Sequence, residues 1–226
     1  LTREFAVAHG NGDIRKMSFL FDRYIPLFLS IAAFLSCFVS VQADNVIAVM
    51  GGKQFHGAVA VMAIMAFYPI HQTYGQLSGS MFFATGQTTL YRDIGIFFLV
   101  AGIPMTYLLI GPARMMGFEL GATGLAVKTV IIQLLGVNTM LFFNTKFLDL
   151  PYGRYLMHQV VCIAVLFAAA VLSAWLMESI WPVCLSSVAK LLLSGMVYSL
   201  VVITVAFFFP WILGLKNDDI NRVRSY

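Results

Sequence analysis

From Ile25 to Val41 the chain runs without a single charged side chain, and it does so again from Ile94 to Ile110, from Tyr155 to Met177 and from Leu191 to Leu213. Runs of this length decide the solvent. Crossing the hydrocarbon of a bilayer takes about 20 mostly apolar residues in a helix. Inside lipid every backbone N–H and C=O must be satisfied within the structure, which leaves helices and closed barrels. Barrel strands alternate in polarity over about ten residues, and these runs are longer and do not alternate. The expected fold is therefore an all-α integral membrane bundle. Composition agrees: 60% of the 226 residues are hydrophobic and 11% charged, where a soluble domain carries about 25% charged residues.

Six spans fit the sequence. Span A covers Asp22 to Val49, its apolar heart Ile25 to Val41, and ends at Gly51-Gly52. Span B runs from His56 to Thr85 and contains Pro69, which predicts a kink near the membrane middle. Span C covers Ile94 to Ile110, includes Pro104 and stops at Gly111-Pro112. Span D runs from Gly121 to Phe143, before a loop marked by Pro151 and Gly153. Span E covers Tyr155 to Met177 and is punctuated by Trp181-Pro182. Span F runs from Val188 to Leu213, and the tail from Lys216 to Tyr226 is polar.

Basic residues test that layout, because cytoplasmic loops are enriched in Lys and Arg. One side receives Arg3, Arg15, Lys16, Arg23, Arg92, Lys146, Arg154, Lys216, Arg222 and Arg224, which is ten of the 14 basic residues. The other side receives Lys53, Arg114 and Lys190, and Lys128 falls inside span D. The asymmetry predicts an even number of spans with both termini in the cytoplasm. The net charge of +4 reads the same way, as loops facing anionic headgroups. No basic run exceeds Arg15-Lys16, so no nucleic-acid partner is expected.

Polar residues inside spans are expensive and mark functional positions by default. Span B is the most polar. Tyr68, Gln72 and Gln76 recur every four residues and share one face, with Gly75 and Gly79 beside them. That face either lines a water-filled cavity or packs by hydrogen bonds on another helix. His71 adjoins it, as a proton carrier or anion binder when charged or as a neutral hydrogen-bonding partner. Lys128 stands two turns into span D. Its long stem either snorkels to the interface or presents a cation to a cavity, where it attracts phosphate or another anion. Asn138, further along span D, reads as a packing polar group.

Absences narrow the chemistry. All ten acidic residues lie at span ends or in loops, so no mid-span carboxylate offers a cation site of the kind cation-coupled antiport uses. Cys37, Cys162 and Cys184 sit in apolar context without metal-ligand spacing and read as small packing residues. There is no H-E-x-x-H, G-x-S-x-G or phosphate-loop motif. The chain is expected not to be an enzyme, and the sequence calls for no cofactor and no metal.

Several stretches carry a resemblance. Gly51-Gly52-Lys53-Gln54-Phe55-His56-Gly57-Ala58 leads into an apolar run. Then follow Gln76-Leu77-Ser78-Gly79-Ser80-Met81-Phe82-Phe83-Ala84-Thr85-Gly86-Gln87-Thr88 and Gly121-Ala122-Thr123-Gly124-Leu125-Ala126. Gly12-Asp13 precedes a Phe-Leu-Phe-Asp-Arg helix start. In order and spacing these resemble the polysaccharide-biosynthesis branch of the multidrug/oligosaccharidyl-lipid/polysaccharide flippase superfamily, over Leu1 to Leu150. The resemblance implies a MATE-like fold of two six-helix lobes around a central cavity, sometimes with two added helices. Residues 1–150 would supply the last four helices of the second lobe, and residues 151–226 the appended pair with a cytoplasmic tail. The chain opens on Leu1 rather than Met, which fits a portion of a longer protein.

On that resemblance the expected activity is flipping of a polyprenyl-diphosphate-linked oligosaccharide across a bacterial cytoplasmic (inner) membrane, for O-antigen or other cell-surface polysaccharide. Cavity residues would be Tyr68, His71, Gln72, Gln76, Lys128 and Asn138. The expected partners are the lipid-linked cargo, membrane lipids, and the polymerase or glycosyltransferases of glycan synthesis. Two rival readings stand beside it: a multidrug or cation antiporter of the same superfamily, and a non-transporting scaffold of a glycan-synthesis complex.

Overall fold

A computed structural model describes residues 1–180 and 186–215. Among them the chain is helical and has no strand. The helices are α1 (Thr2–Gly10), α2 (Ile14–Val41), α3 (Ala43–Met50), α4 (Val59–Met65), α5 (Tyr68–Ala84), α6 (Thr88–Ile110), α7 (Gly121–Phe147), α8 (Tyr152–Ile180) and α9 (Ser187–Phe208). Five of these, α2, α6, α7, α8 and α9, are long and apolar enough to cross a membrane. The architecture is an all-α polytopic membrane bundle.

The bundle is organised around α2. Met17, Phe21, Ile25, Leu29, Ala33 and Cys37 recur every four residues and are at most 1% exposed. A spacing of four keeps side chains on one slowly drifting ridge of a helix. The ridge tapers from large residues to Ala33 and Cys37, and the facing part of α8 carries Cys162, Ala169 and Ala170. Small residues let two backbones approach closely where lipid supplies no hydrophobic drive between helices. Polar contacts pin the same pair. Tyr155 Oη donates to Asp22 Oδ1 at 3.1 Å, Arg154 Nη1 lies 3.2 Å from that oxygen, and the Cys162 thiol donates to Ser30 Oγ at 3.4 Å. The Cys37 thiol points at the Ile163 carbonyl, 3.8 Å away.

Several boundaries differ from the sequence reading. Span A starts earlier, because Asp13 caps α2 by accepting from the Lys16 N–H at 2.9 Å, the usual work of an N-cap carboxylate. It also ends earlier, at Val41. Gln42 then breaks the path to α3, and its amide donates to Ser194 Oγ on α9 at 2.7 Å. Span B is not one kinked helix. Its first residues form a 3-10 turn, Lys53–Ala58, and α4 stops at Met65. Pro69 falls on the second residue of α5, where its missing N–H and fixed φ cost nothing. In a continuous helix its ring would strike the carbonyl of Met65. A break at Ala66-Phe67 is the outcome, one turn before the expected kink.

Span C gains residues from Thr88, and span D extends to Phe147. Span E runs from Tyr152, and Trp181-Pro182 lie outside the described residues, as do Cys184 and the tail from Lys216. Span F ends at Phe208, and Pro210 opens a 3-10 turn to Leu213. The N-terminal helix α1, not anticipated from sequence, inserts Phe5 and Ala8 into the core beside α2 and α5.

Tyr198 on α9 stacks between Phe34 and Phe38 of α2, with ring centroids 4.8 and 5.4 Å apart, and its hydroxyl donates to the Phe34 carbonyl at 3.0 Å. Removing the ring should cost far more than removing the hydroxyl. Unfolding in mixed micelles titrated with SDS should show Tyr198→Ala losing about 3–5 kcal/mol and Tyr198→Phe about 1 kcal/mol.

Candidate functional site

Three helices leave a cleft between them. α5 contributes Gln72, Gly75 and Gln76, spaced as one helical face. α7 contributes Lys128, Ile132, Gln133, Gly136, Val137 and Met140, again a single stripe. α6 closes the third side with Tyr91, Ile94, Gly95, Phe98 and Leu99. The cleft encloses about 430 Å³.

Glycines set its shape. At Gly75 a β-carbon would stand 2.8 Å from Val137 Cγ2, so α5 and α7 touch there only because Gly75 has no side chain. At Gly102 on α6 a β-carbon would lie 3.2 Å from Lys128 Cε and 3.4 Å from Nζ. The bare backbone of Gly102 thus gives the lysine stem a path along α6.

Lys128 is half-buried, seven residues into α7, which is about 10 Å along the axis. Among the described residues it makes no ion pair or hydrogen bond. Lys128 is also the charged residue of the lining, which contains no carboxylate. An ammonium so placed, with low-dielectric walls around it, attracts anions more strongly than one in bulk water.

The cleft floor carries amides. Gln133 Nε2 donates to Gln72 Oε1 at 3.3 Å, a long bond that ties α7 to α5. Gln76 is exposed one turn further on. Tyr91 closes the far end, its ring 5.9 Å from Phe82 and 5.1 Å from Phe83. The arrangement offers one cation, several amide donors and acceptors, a phenol and apolar flanks. It suits binding of a polar, anionic group and lacks a nucleophile held by a base.

Three of the six residues picked from sequence, Gln72, Gln76 and Lys128, therefore meet in one cleft. His71 does not join them. The next residue along a helix points about 100° away, and His71 is buried in a separate groove toward α8. Tyr68 and Asn138 lie outside both linings. Asn138 Nδ2 donates to the Leu134 carbonyl of its own helix at 2.8 Å. Sequence reasoning passed over Gln133 and Tyr91. Gln133 is a polar residue in mid-span and carried the same signal as Gln72. Tyr91 precedes Ile94, the expected start of span C, so its place in the cleft could not be read from the sequence. Asn144 supports the site from below: its amide donates to the Ser78 carbonyl on α5 at 3.0 Å.

No family model, no curated protein and no solved structure matches the chain.

A wet cleft and a lipid-facing surface differ in thiol chemistry. With the native cysteines replaced by alanine, Gln76→Cys and Gln133→Cys should react with a water-soluble maleimide at least about tenfold faster than Ile103→Cys. Ile103 is 67% exposed on an apolar face of α6, which lipid covers. Equal, slow labelling at all three positions would show a dry cleft.

Proposed function

We propose that this chain forms part of a membrane transporter that translocates a lipid-linked oligosaccharide, and that the α5–α6–α7 cleft receives the anionic, polar head of the cargo. The observation that carries the reading is the convergence of Lys128 with Gln72, Gln76 and Gln133 on one cleft within a bundle of apolar helices. An amphiphile with a diphosphate and sugars needs a cation for the phosphates and amides for the hydroxyls. Its hydrocarbon tail needs none of these and stays in lipid. α5, which carries Gln72 and Gln76, is set off from α4 by a two-residue break at Ala66-Phe67, and interrupted helices recur at substrate sites in transporters.

The sign of the charge separates this reading from the antiporter. A cation site calls for a carboxylate, whereas the cleft presents an ammonium and amides. A scaffold without transport has no need for an unpaired lysine on the cleft side of α7.

In the same reading residues 1–150 belong to one lobe of a two-lobe flippase and residues 151–226 to an added pair of helices. Both termini face the cytoplasm of a bacterial cell, in its inner membrane. The sequence likeness to the polysaccharide-biosynthesis flippases and the distribution of Lys and Arg support these points.

The test is surface glycan in cells whose full-length gene carries Lys128→Ala with Gln72→Ala. Losing a charge-assisted contact to phosphate is worth about 1.5–3 kcal/mol, so export should fall at least about tenfold, and Lys128→Arg should keep most of it. Export at the normal rate from the double variant, present at normal abundance, removes both residues from the mechanism.

A further inference from the structure

The segment from Gly111 to Leu120 joins α6 to α7, and it folds back on the end of α6 instead of reaching away from it. The Phe118 N–H donates to the Leu108 carbonyl at 2.8 Å, the Leu120 N–H to the Leu109 carbonyl at 3.0 Å, and the Glu119 N–H to the Gly111 carbonyl at 3.2 Å. Leu108 and Leu109 lie in the last turn of α6, where a helix leaves its carbonyls without intrahelical partners. Glu119 Oε1 completes the knot by accepting from the Ala113 N–H at 2.7 Å. Gly117 passes so close to the Gly111 carbonyl that a β-carbon there would overlap it.

The fold-back fixes a depth. Phe118 and Leu120 are bonded to the backbone of Leu108 and Leu109, so they stand level with the last turn of a helix long and apolar enough to cross a membrane. Yet their side chains are turned outward. Met116 is 87% exposed, Phe118 61% and Leu120 45%. The turn between α7 and α8 does the opposite and buries Leu148. Met116 and Glu119 hold left-handed backbone, with φ of 67° and 52°. Residues with side chains seldom adopt that conformation, and it persists where surrounding contacts over-determine it. The outward display of large apolar side chains is therefore set by a hydrogen-bonded backbone, not left over from a slack one.

What covers these side chains follows from their level. Leu108 and Leu125, on the adjoining turns of α6 and α7, are exposed, and both helices are membrane spans by length and composition. The apolar surface of the two spans thus continues into the loop. Water over Met116, Phe118 and Leu120 would forfeit the transfer free energy of each. Arg114, exposed on the same loop, suits the layer above them, since a basic side chain at a span end reaches headgroup phosphates on its long stem. We propose that the α6–α7 loop is a membrane-inserted anchor. Met116, Phe118 and Leu120 seat among the upper acyl chains, beneath the headgroups, and the partner of this surface is lipid.

A single tryptophan reads the depth. With Trp175, Trp181 and Trp211 replaced by phenylalanine, the full chain carrying Phe118→Trp is placed in phosphatidylcholine vesicles with or without bromine on the upper acyl chains. Bromolipid should quench at least about half of the emission, as for a ring in the interfacial belt. Iodide, present on both faces of the membrane, should quench about tenfold more slowly than it quenches N-acetyltryptophanamide, because the headgroups shield the ring from water. Iodide quenching at the rate of the free indole overturns the proposal and puts the loop in water. Protection from both quenchers also overturns it, because protein then covers the side chain. Should the tryptophan-free chain fail to fold, a nitroxide on Phe118→Cys, with the native cysteines replaced by alanine, reports the same depth. Oxygen should then relax the label more strongly than a water-soluble nickel chelate does, and the reverse order overturns the proposal.

Discussion

The contact between α2 and α8 is the constraint on which the other elements depend. Hydrophobic burial gives no preference for one apolar helix over another when lipid is the solvent. What distinguishes α2 is geometry and a few polar anchors. Its ridge narrows to Ala33 and Cys37 where α8 is also small, and Asp22 gathers Tyr155 and Arg154 at the other end. With those two helices fixed, α9 seats Tyr198 against α2, α1 packs Phe5 and Ala8 beside its start, and α5 leans on its remaining side. The α6–α7 pair then joins through α5.

Much of the fold was legible because membrane insertion filters sequence so strictly. Charge-free runs longer than about 20 residues have few alternatives, and the spans from Ile94, Gly121, Tyr155 and Val188 were each found within a few residues of their helices. The misreadings share a cause. Asp13, Gln42 and Pro69 each decide where a helix begins or breaks by the hydrogen bonds they make or cannot make, and a polarity scan does not see such bonds. Asp13 extends α2 by capping it. Gln42 ends it, and the amide bonds to Ser194, a residue far away in sequence. Pro69 turns one span into two helices.

The site was half legible. The spacing of Gln72 and Gln76 announced a polar face, and Lys128 announced itself by cost. Which neighbours complete the cleft depends on how α5, α6 and α7 rotate about their axes. The contact of Gly75 with Val137 and the passage of Lys128 along Gly102 settle that rotation. His71 shows the limit of adjacency. One residue from Gln72 in sequence, it belongs to a different hollow with different chemistry.

That adjacency has a mechanical consequence. α5 is the partition between two compartments, with Gln72 on one side and His71 on the other, and a two-residue break at Ala66-Phe67 separates it from α4. Any tilt of α5 that widened the Lys128 side would narrow the His71 side. An occupant that tilted α5 in one compartment would change the affinity of the other, and thermodynamic linkage would make the effect equal in both directions.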